Sequence, residues 1–173
     1  LPTCDAFDLA LLSEETEDDL SRFEKDFFWC IDPLDGTLPF INKRPGFSVS
    51  IALVAKDETP YIGVVYDPVT ETLYHASKGH GADKNHLPWN VKCTNHHFTY
   101  VTDRPLKTTP RAAEIDALLQ ASAEKMNLNS VKEIAGAGSV LNAMLVLENG
   151  PACMLKFPKK ERGGGSIWDF AAT

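Results

Sequence analysis

The sequence predicts an α/β or α+β protein in which sheets are covered by helices. Three observations carry that prediction. Alternating strand patterns run from Phe47 to Ser77, a helical apolar spacing follows Pro110, and an almost wholly apolar helix ends near Asn149. At 173 residues the chain fits one domain, or part of a larger one. With 43% hydrophobic and 24% charged residues it can bury a real core.

The elements follow in order. Residues 13–26, "SEETEDDLSRFEKD", are charged and lack apolar periodicity, so they read as an exposed loop or short helix. Phe27 to Ile31 is a short apolar run ending at an Asp-Pro pair, which suits a buried strand. Next, Phe47, Val49, Ile51 and Leu53 fall on one face of a strand, with Ser48, Ser50 and Ala52 on a small-residue back face. We read those serine hydroxyls as packing. Tyr61–Tyr66 and Thr72–Ser77 form two more strands around the turn "DPVTE", making a three-stranded antiparallel meander. "KGHGADKN" is a glycine-bearing turn beyond it.

Thr109 and Pro110 read as an N-cap and first helical residue, continued by Ile115, Leu118, Leu119 and Met126. "VKEIAG" is a strand. Ser139 caps a second helix that runs to Asn149 and stops at Gly150, and its apolar composition predicts burial. "ACMLKF" is a strand and "KKERGGGS" a flexible loop. Ile167–Thr173 then begins a helix with Asp169 in its first turn. Because the chain opens on Leu1 and stops at Thr173 inside an element, we read it as a fragment of something longer.

Composition excludes several classes. No apolar run approaches the ~20 residues of a membrane span, and no signal-peptide pattern opens the chain. Four scattered cysteines without a CxxC pair argue against a zinc site or disulfide framework and suit a cytoplasmic setting. His96 and His97 lack HExxH spacing, and GGGS lacks the ending of a nucleotide P-loop. A net charge of −7 speaks against a nucleic-acid polymer as partner, yet an acidic protein binds anions where metal ions invert the local field.

The chemistry concentrates in "WCIDPLDGT", residues 29–37. A strand ending at Asp32 projects its carboxylate from the sheet, and the Pro33 turn lets Asp35 swing to the same side. Two such carboxylates repel one another unless cations lie between them, and a carboxylate-only site suits Mg²⁺. Gly36 and Thr37 then open a helix whose free N–H groups attract anions. Asp-Pro-x-Asp-Gly is equally good turn chemistry, so the stretch alone leaves both readings open. Further carboxylates tilt the balance: Glu14 and Glu15 in "LLSEE" upstream, and Asp169 in "IWDFAAT" downstream.

These three stretches, in this order, resemble the signature motifs of the inositol monophosphatase superfamily of Mg²⁺-dependent, lithium-sensitive phosphatases. "SVSIALVAKDETPYIGVVYDPVTETLYHASKGHGA" and "GAGSVLNAMLVLENGPACML" are similar to further segments of that family. The resemblance implies a layered sheet-and-helix sandwich of the inositol monophosphatase type, truncated here at both ends. Residues 1–100 would form its metal-motif half with the meander, and residues 101–173 part of a second α/β half. It further implies that Glu14, Asp32, the Leu34 carbonyl, Asp35 and Asp169 hold Mg²⁺. Glu14 and Thr37 would position or activate the attacking water, beside the catalytic Asp32. Asp35 and the amides of Gly36 and Thr37 would meet the phosphate, and Glu15 would stand behind the ligands.

"LSEE" and "DPLDGT" look most like the 3'(2'),5'-bisphosphate nucleotidases, which remove the 3'-phosphate of adenosine 3',5'-bisphosphate. Inositol monophosphatases carry a glutamate on the strand before the WD motif, and this chain has Lys156 at about that place. A cation there suits a second phosphate. Ser139 could contact sugar or phosphate, or simply cap its helix. Lys159, Lys160 and Arg162 read equally as a basic flap or a solvated loop. The expected partner is a small phosphorylated metabolite, with a homodimer as the family's common assembly. The alternatives are an inositol monophosphate or sugar phosphate phosphatase, and a non-catalytic phosphometabolite-binding or scaffold member.

Overall fold

A computed structural model describes residues 8–108, 110–156 and 165–173. The chain divides into two compact units, the first from Leu1–Asp35, Ser48–Trp89 and Ser166–Thr173, the second from Gly36–Phe47 and Asn90–Gly165.

The first unit is built on a seven-stranded sheet of β1 (Ala10–Ser13), β2 (Phe27–Asp35), β3 (Ser48–Ala55), β4 (Pro60–Asp67), β5 (Thr72–Ser77), β6 (Gly81–Lys84) and β7 (Leu87–Pro88), ordered as in the sequence. β1 runs parallel to β2, and each later pair is antiparallel. The expected meander is therefore the middle of a longer one. The charged stretch before β2 holds only a single 3-10 turn, Ser21–Phe23, in which no residue is buried. Asp67 organises the β4–β5 turn by accepting hydrogen bonds from the Val69 amide and the Thr70 hydroxyl, both at 2.9 Å.

β3 packs through the serine face, as expected. Its small residues are the buried ones: Ser48, Ser50 and Ala52 are fully shielded, while Val49, Ile51 and Leu53 are half-buried. The physical reason is what packs there. The one-turn helix α4 (Ile167–Phe170) and the residues after it lie on the sheet face carrying these positions. Trp168, Ala171 and Ala172 close over a core of Ala10, Leu12, Phe28, Cys30, Ala52 and Val54. Burial also pushes the Cys30 thiol up to about 11, so that cysteine is an inert packing group.

The second unit holds a parallel three-stranded sheet ordered β10 (Ala152–Leu155), β8 (Phe98–Thr102), β9 (Val131–Ala135). Parallel neighbours need crossover connections, and helices α2 (Ala112–Lys125) and α3 (Ser139–Glu148) supply them. α2 buries Leu119 and Ala123 over Phe98 and Tyr100, and α3 buries Val140, Leu141, Asn142 and Met144. β8 is buried at every position, yet "FTYVT" gave no periodic signal because it is covered on both faces. The N-cap of α3 is Gly138, so Ser139 is the first helical residue and not the cap. Of the other expectations, Thr109 and the basic loop with Lys159, Lys160 and Arg162 lie outside the described residues. Among the described residues no helix is long and apolar enough to cross a membrane.

Phe28 is 3% exposed in the first core whereas Leu87, on β7, is 69% exposed. We expect Phe28→Ala to cost about 3–5 kcal/mol and Leu87→Ala less than about 0.5 kcal/mol, read from denaturant unfolding.

Candidate metal centre

The site begins with a parity problem. Side chains three apart on a strand point to opposite faces, so Asp32 and Asp35 should diverge. The register resolves it: Asp32 pairs with Ser50 and Asp35 with Ser48, so three steps on β2 match two on β3. One extra residue is absorbed as a β-bulge, which returns Asp35 to the face of Asp32. The Pro33–Leu34 pair makes the bulge, and the Leu34 amide donates to Asp32 Oδ1 at 2.9 Å. Turn chemistry and ligand placement are thus one feature, and the two readings of this stretch do not compete.

α4 completes the cluster. Asp169 is buried, and its Oδ2 accepts a hydrogen bond from the Ser166 amide at 2.7 Å, fixing the carboxylate at the helix start. Asp32, Asp35 and Asp169 each offer a carboxylate oxygen, and these oxygens lie within 4.8 Å of one another. All three residues are at most 7% exposed. Asp32 Oδ2 is buried without a hydrogen-bond partner. A buried, unpaired acceptor facing two further carboxylates is costly, and a divalent cation would satisfy all three. Hard oxygen donors without sulfur or imidazole fit an ion such as Mg²⁺, Mn²⁺ or Ca²⁺.

Glu14 stands at the end of β1, where parallel pairing of Ser13 with Ile31 brings the next residue alongside Asp32. Its backbone amide donates to the Ile31 carbonyl at 3.2 Å. It lies outside the three-carboxylate cluster and its side chain is exposed, but it acts on Asp32 electrostatically. Burial first, then the Glu14 and Asp169 carboxylates, push Asp32 up to about 7 against the pull of the Leu34 N–H. Glu14 is raised as well, mainly by desolvation, with the Asp169, Glu15 and Asp35 charges adding to it.

Gly36, Thr37, Ser139 and Lys156 belong to the second unit. Gly36 directly follows Asp35 and adopts the left-handed region at φ 83°, opening the short helix α1 (Thr37–Ile41). A Cβ at Gly36 would stand 2.5 Å from the Gly46 carbonyl oxygen, so glycine is required twice over. Thr37 is exposed. Lys156 Nζ donates to Ser139 Oγ at 2.6 Å, giving Ser139 a polar partner in place of the capping role. Sequence reasoning missed Ser50, whose hydroxyl donates to the Trp168 carbonyl at 3.1 Å, and Ser166. Two serines spaced two apart on the strand that follows a DPLD motif were the available signal.

Fold and cluster together define a mixed α/β protein whose sheet carries, at an internal strand, a carboxylate site suited to divalent metal. The chain matches the inositol monophosphatase family over residues 6–173. It is 34% identical to the 3'(2'),5'-bisphosphate nucleotidase CysQ of Aggregatibacter actinomycetemcomitans over 151 residues, 84% of this chain and 51% of that protein. Over 87 residues, 50% of this chain and 30% of its relative, it is 41% identical to the inositol-1-monophosphatase of a Synechocystis species. Its structure superposes on CysQ from Bacteroides thetaiotaomicron, described as a bacterial member of the inositol monophosphatase family. There the TM-score is 0.71 at 29% identity, covering 95% of this chain and 64% of that one. The chain belongs to the inositol monophosphatase family. It spans about half the length of the Aggregatibacter nucleotidase.

The raised Asp32 and Glu14 carboxyls fix a sign. A raised native pKa favours the protonated fold, so its stabilisation is present below the ordinary carboxylate range and lost as pH rises through about 7. We expect the melting temperature in EDTA to fall between pH 5 and pH 8. Added divalent cation should restore it more at pH 8 than at pH 5. Asp32→Asn should flatten both responses in differential scanning fluorimetry.

Proposed function

We propose that the protein is a Mg²⁺-dependent phosphomonoesterase that removes the 3'-phosphate of adenosine 3',5'-bisphosphate. One observation carries the metal half of this reading: three buried carboxylates whose oxygens converge within 4.8 Å around the unpartnered Asp32 Oδ2. Asp32, Asp35 and Asp169 would hold the ions, with Glu14 and the Leu34 carbonyl completing the set. When bound, the ions supply Lewis acidity toward phosphate and water. Glu14, its carboxyl raised by desolvation, would orient the attacking water and take its proton, and the Thr37 hydroxyl would help aim that water. The Gly36 and Thr37 amides, which follow Asp35 directly, bind phosphate oxygens as hydrogen-bond donors. The chain's part is positioning and charge stabilisation, without a covalent intermediate.

For the substrate, support comes from the nucleotidase relatives and from Lys156. Its half-buried ammonium, held against Ser139, offers a second phosphate a charge-assisted hydrogen bond. The second reading is an inositol monophosphate phosphatase, favoured by the family match and by the Synechocystis relative. Lithium inhibition, a homodimeric assembly and a cytoplasmic setting complete the proposal. The last is supported by free Cys30, Cys93 and Cys153 among the described residues.

Phosphate release from adenosine 3',5'-bisphosphate and inositol 1-phosphate, each with and without lithium, separates the two readings. Asp32→Asn should lower Mg²⁺-dependent turnover by on the order of 10²-fold or more while circular dichroism stays unchanged. Undiminished turnover in that variant would remove the metal role. Lys156→Ala should lower kcat/KM roughly 10-fold more for the bisphosphate than for the monophosphate. Equal losses on both substrates would transfer the preference to the inositol reading.

A further inference from the structure

We infer that Ser50 and Gly63 are positioning residues for the metal centre, setting the place of Asp169 without touching the ion. The inference rests on the metal reading of the cluster above and concerns how that cluster is held together.

α4 is one turn long, and a single turn has no stability of its own. Its place on the sheet must come from tertiary contacts. Two of these reach the segment's backbone from adjacent strands. The Ser50 hydroxyl, fully buried on β3, donates to the Trp168 carbonyl at 3.1 Å, one residue before Asp169. On β4, Gly63 leaves room for the chain after the helix: a Cβ there would stand 2.6 Å from the Ala172 carbonyl oxygen and 3.2 Å from Ala172 Cα. Register places both on one face, because Ala52 pairs with Gly63 and lies two residues from Ser50. Ser50, Ala52 and Gly63 form a floor low enough for the 168–172 backbone to lie against the sheet. The same register sets Ser50 opposite Asp32. A single residue therefore abuts one candidate ligand laterally and ties down the element carrying another.

Ion binding tolerates little error in such a distance. Mg²⁺ demands near-ideal octahedral geometry at about 2.0–2.1 Å, and a workable site holds its ligands to within about 0.2 Å. Lifting the 168–172 segment by a fraction of an ångström would misplace the Asp169 oxygen while only loosening the contacts of Trp168, Ala171 and Ala172 at the margin of the core. The loss falls on ion affinity more than on folding.

The test is Mn²⁺ binding to the purified protein, by isothermal titration and by the loss of free-ion electron paramagnetic resonance signal. Melting temperature in EDTA serves as the folding control. Ser50→Ala should weaken Mn²⁺ binding about 3- to 10-fold and lower the EDTA melting temperature by only a few degrees, leaving the protein fully folded at the temperature of the titration. Gly63→Ala should weaken binding in the same direction, although it alters no hydrogen-bonding group. Unchanged Mn²⁺ affinity in Ser50→Ala would overturn the inference while leaving the metal reading intact. Wild-type protein that takes up no Mn²⁺, or takes up as much as Asp32→Asn, would overturn the metal reading and this inference with it.

Discussion

Electrostatic repulsion among buried carboxylates is the constraint around which the first unit is arranged. Asp32, Asp35 and Asp169 converge within 4.8 Å, and the charges that bear most on Asp32 are the carboxylates of Glu14 and Asp169. Unpaired buried charge costs several kcal/mol per group in a protein interior. Sequences carry such a burden where something outside the chain relieves it, so the cluster is better understood as half of a bond than as a defect. The Leu34 amide holds one Asp32 oxygen in a fixed direction and leaves the other without a partner.

The fold delivers these carboxylates by two unlike devices. The bulge in β2 is local, needing only a proline-containing insertion in a strand otherwise locked to β3. Asp169 arrives from the far end of the described chain and depends on small side chains that let one backbone settle on another. The first device is rigid because it lies inside the sheet. The second depends on tertiary contacts, because a one-turn helix has no stability of its own.

How far the sequence disclosed this differs by element. Alternation exposed β3, β4 and β5, helical spacing exposed α2, and an apolar run closed by Gly150 exposed α3. β8 stayed hidden because total burial erases the contrast that periodicity measures. Asp32, Asp35 and Asp169 were legible as motif residues, yet their convergence was not, for no local pattern says which strand face a bulge will select. The packing of Ser50 was legible but its bond to the Trp168 carbonyl was not, since a serine reads alike whether its hydroxyl is satisfied by a helix carbonyl or merely enclosed. Ser139 was misplaced by one residue because glycine and serine are both acceptable caps, and Lys156 supplied its partner instead.

The hydrogen bond from Ser50 to Trp168 joins positions 118 apart. As the chain is synthesised, the seven strands leave the ribosome well before Asp169 emerges, and at ~5–20 residues per second the interval lasts several seconds or more. During that interval the sheet already presents Asp32 and Asp35 on one face, with the floor for the last segment still bare. An ion that needs all three carboxylates would therefore wait for that segment, and nascent polypeptide stalled short of it would carry an assembled sheet with an unfinished ligand set.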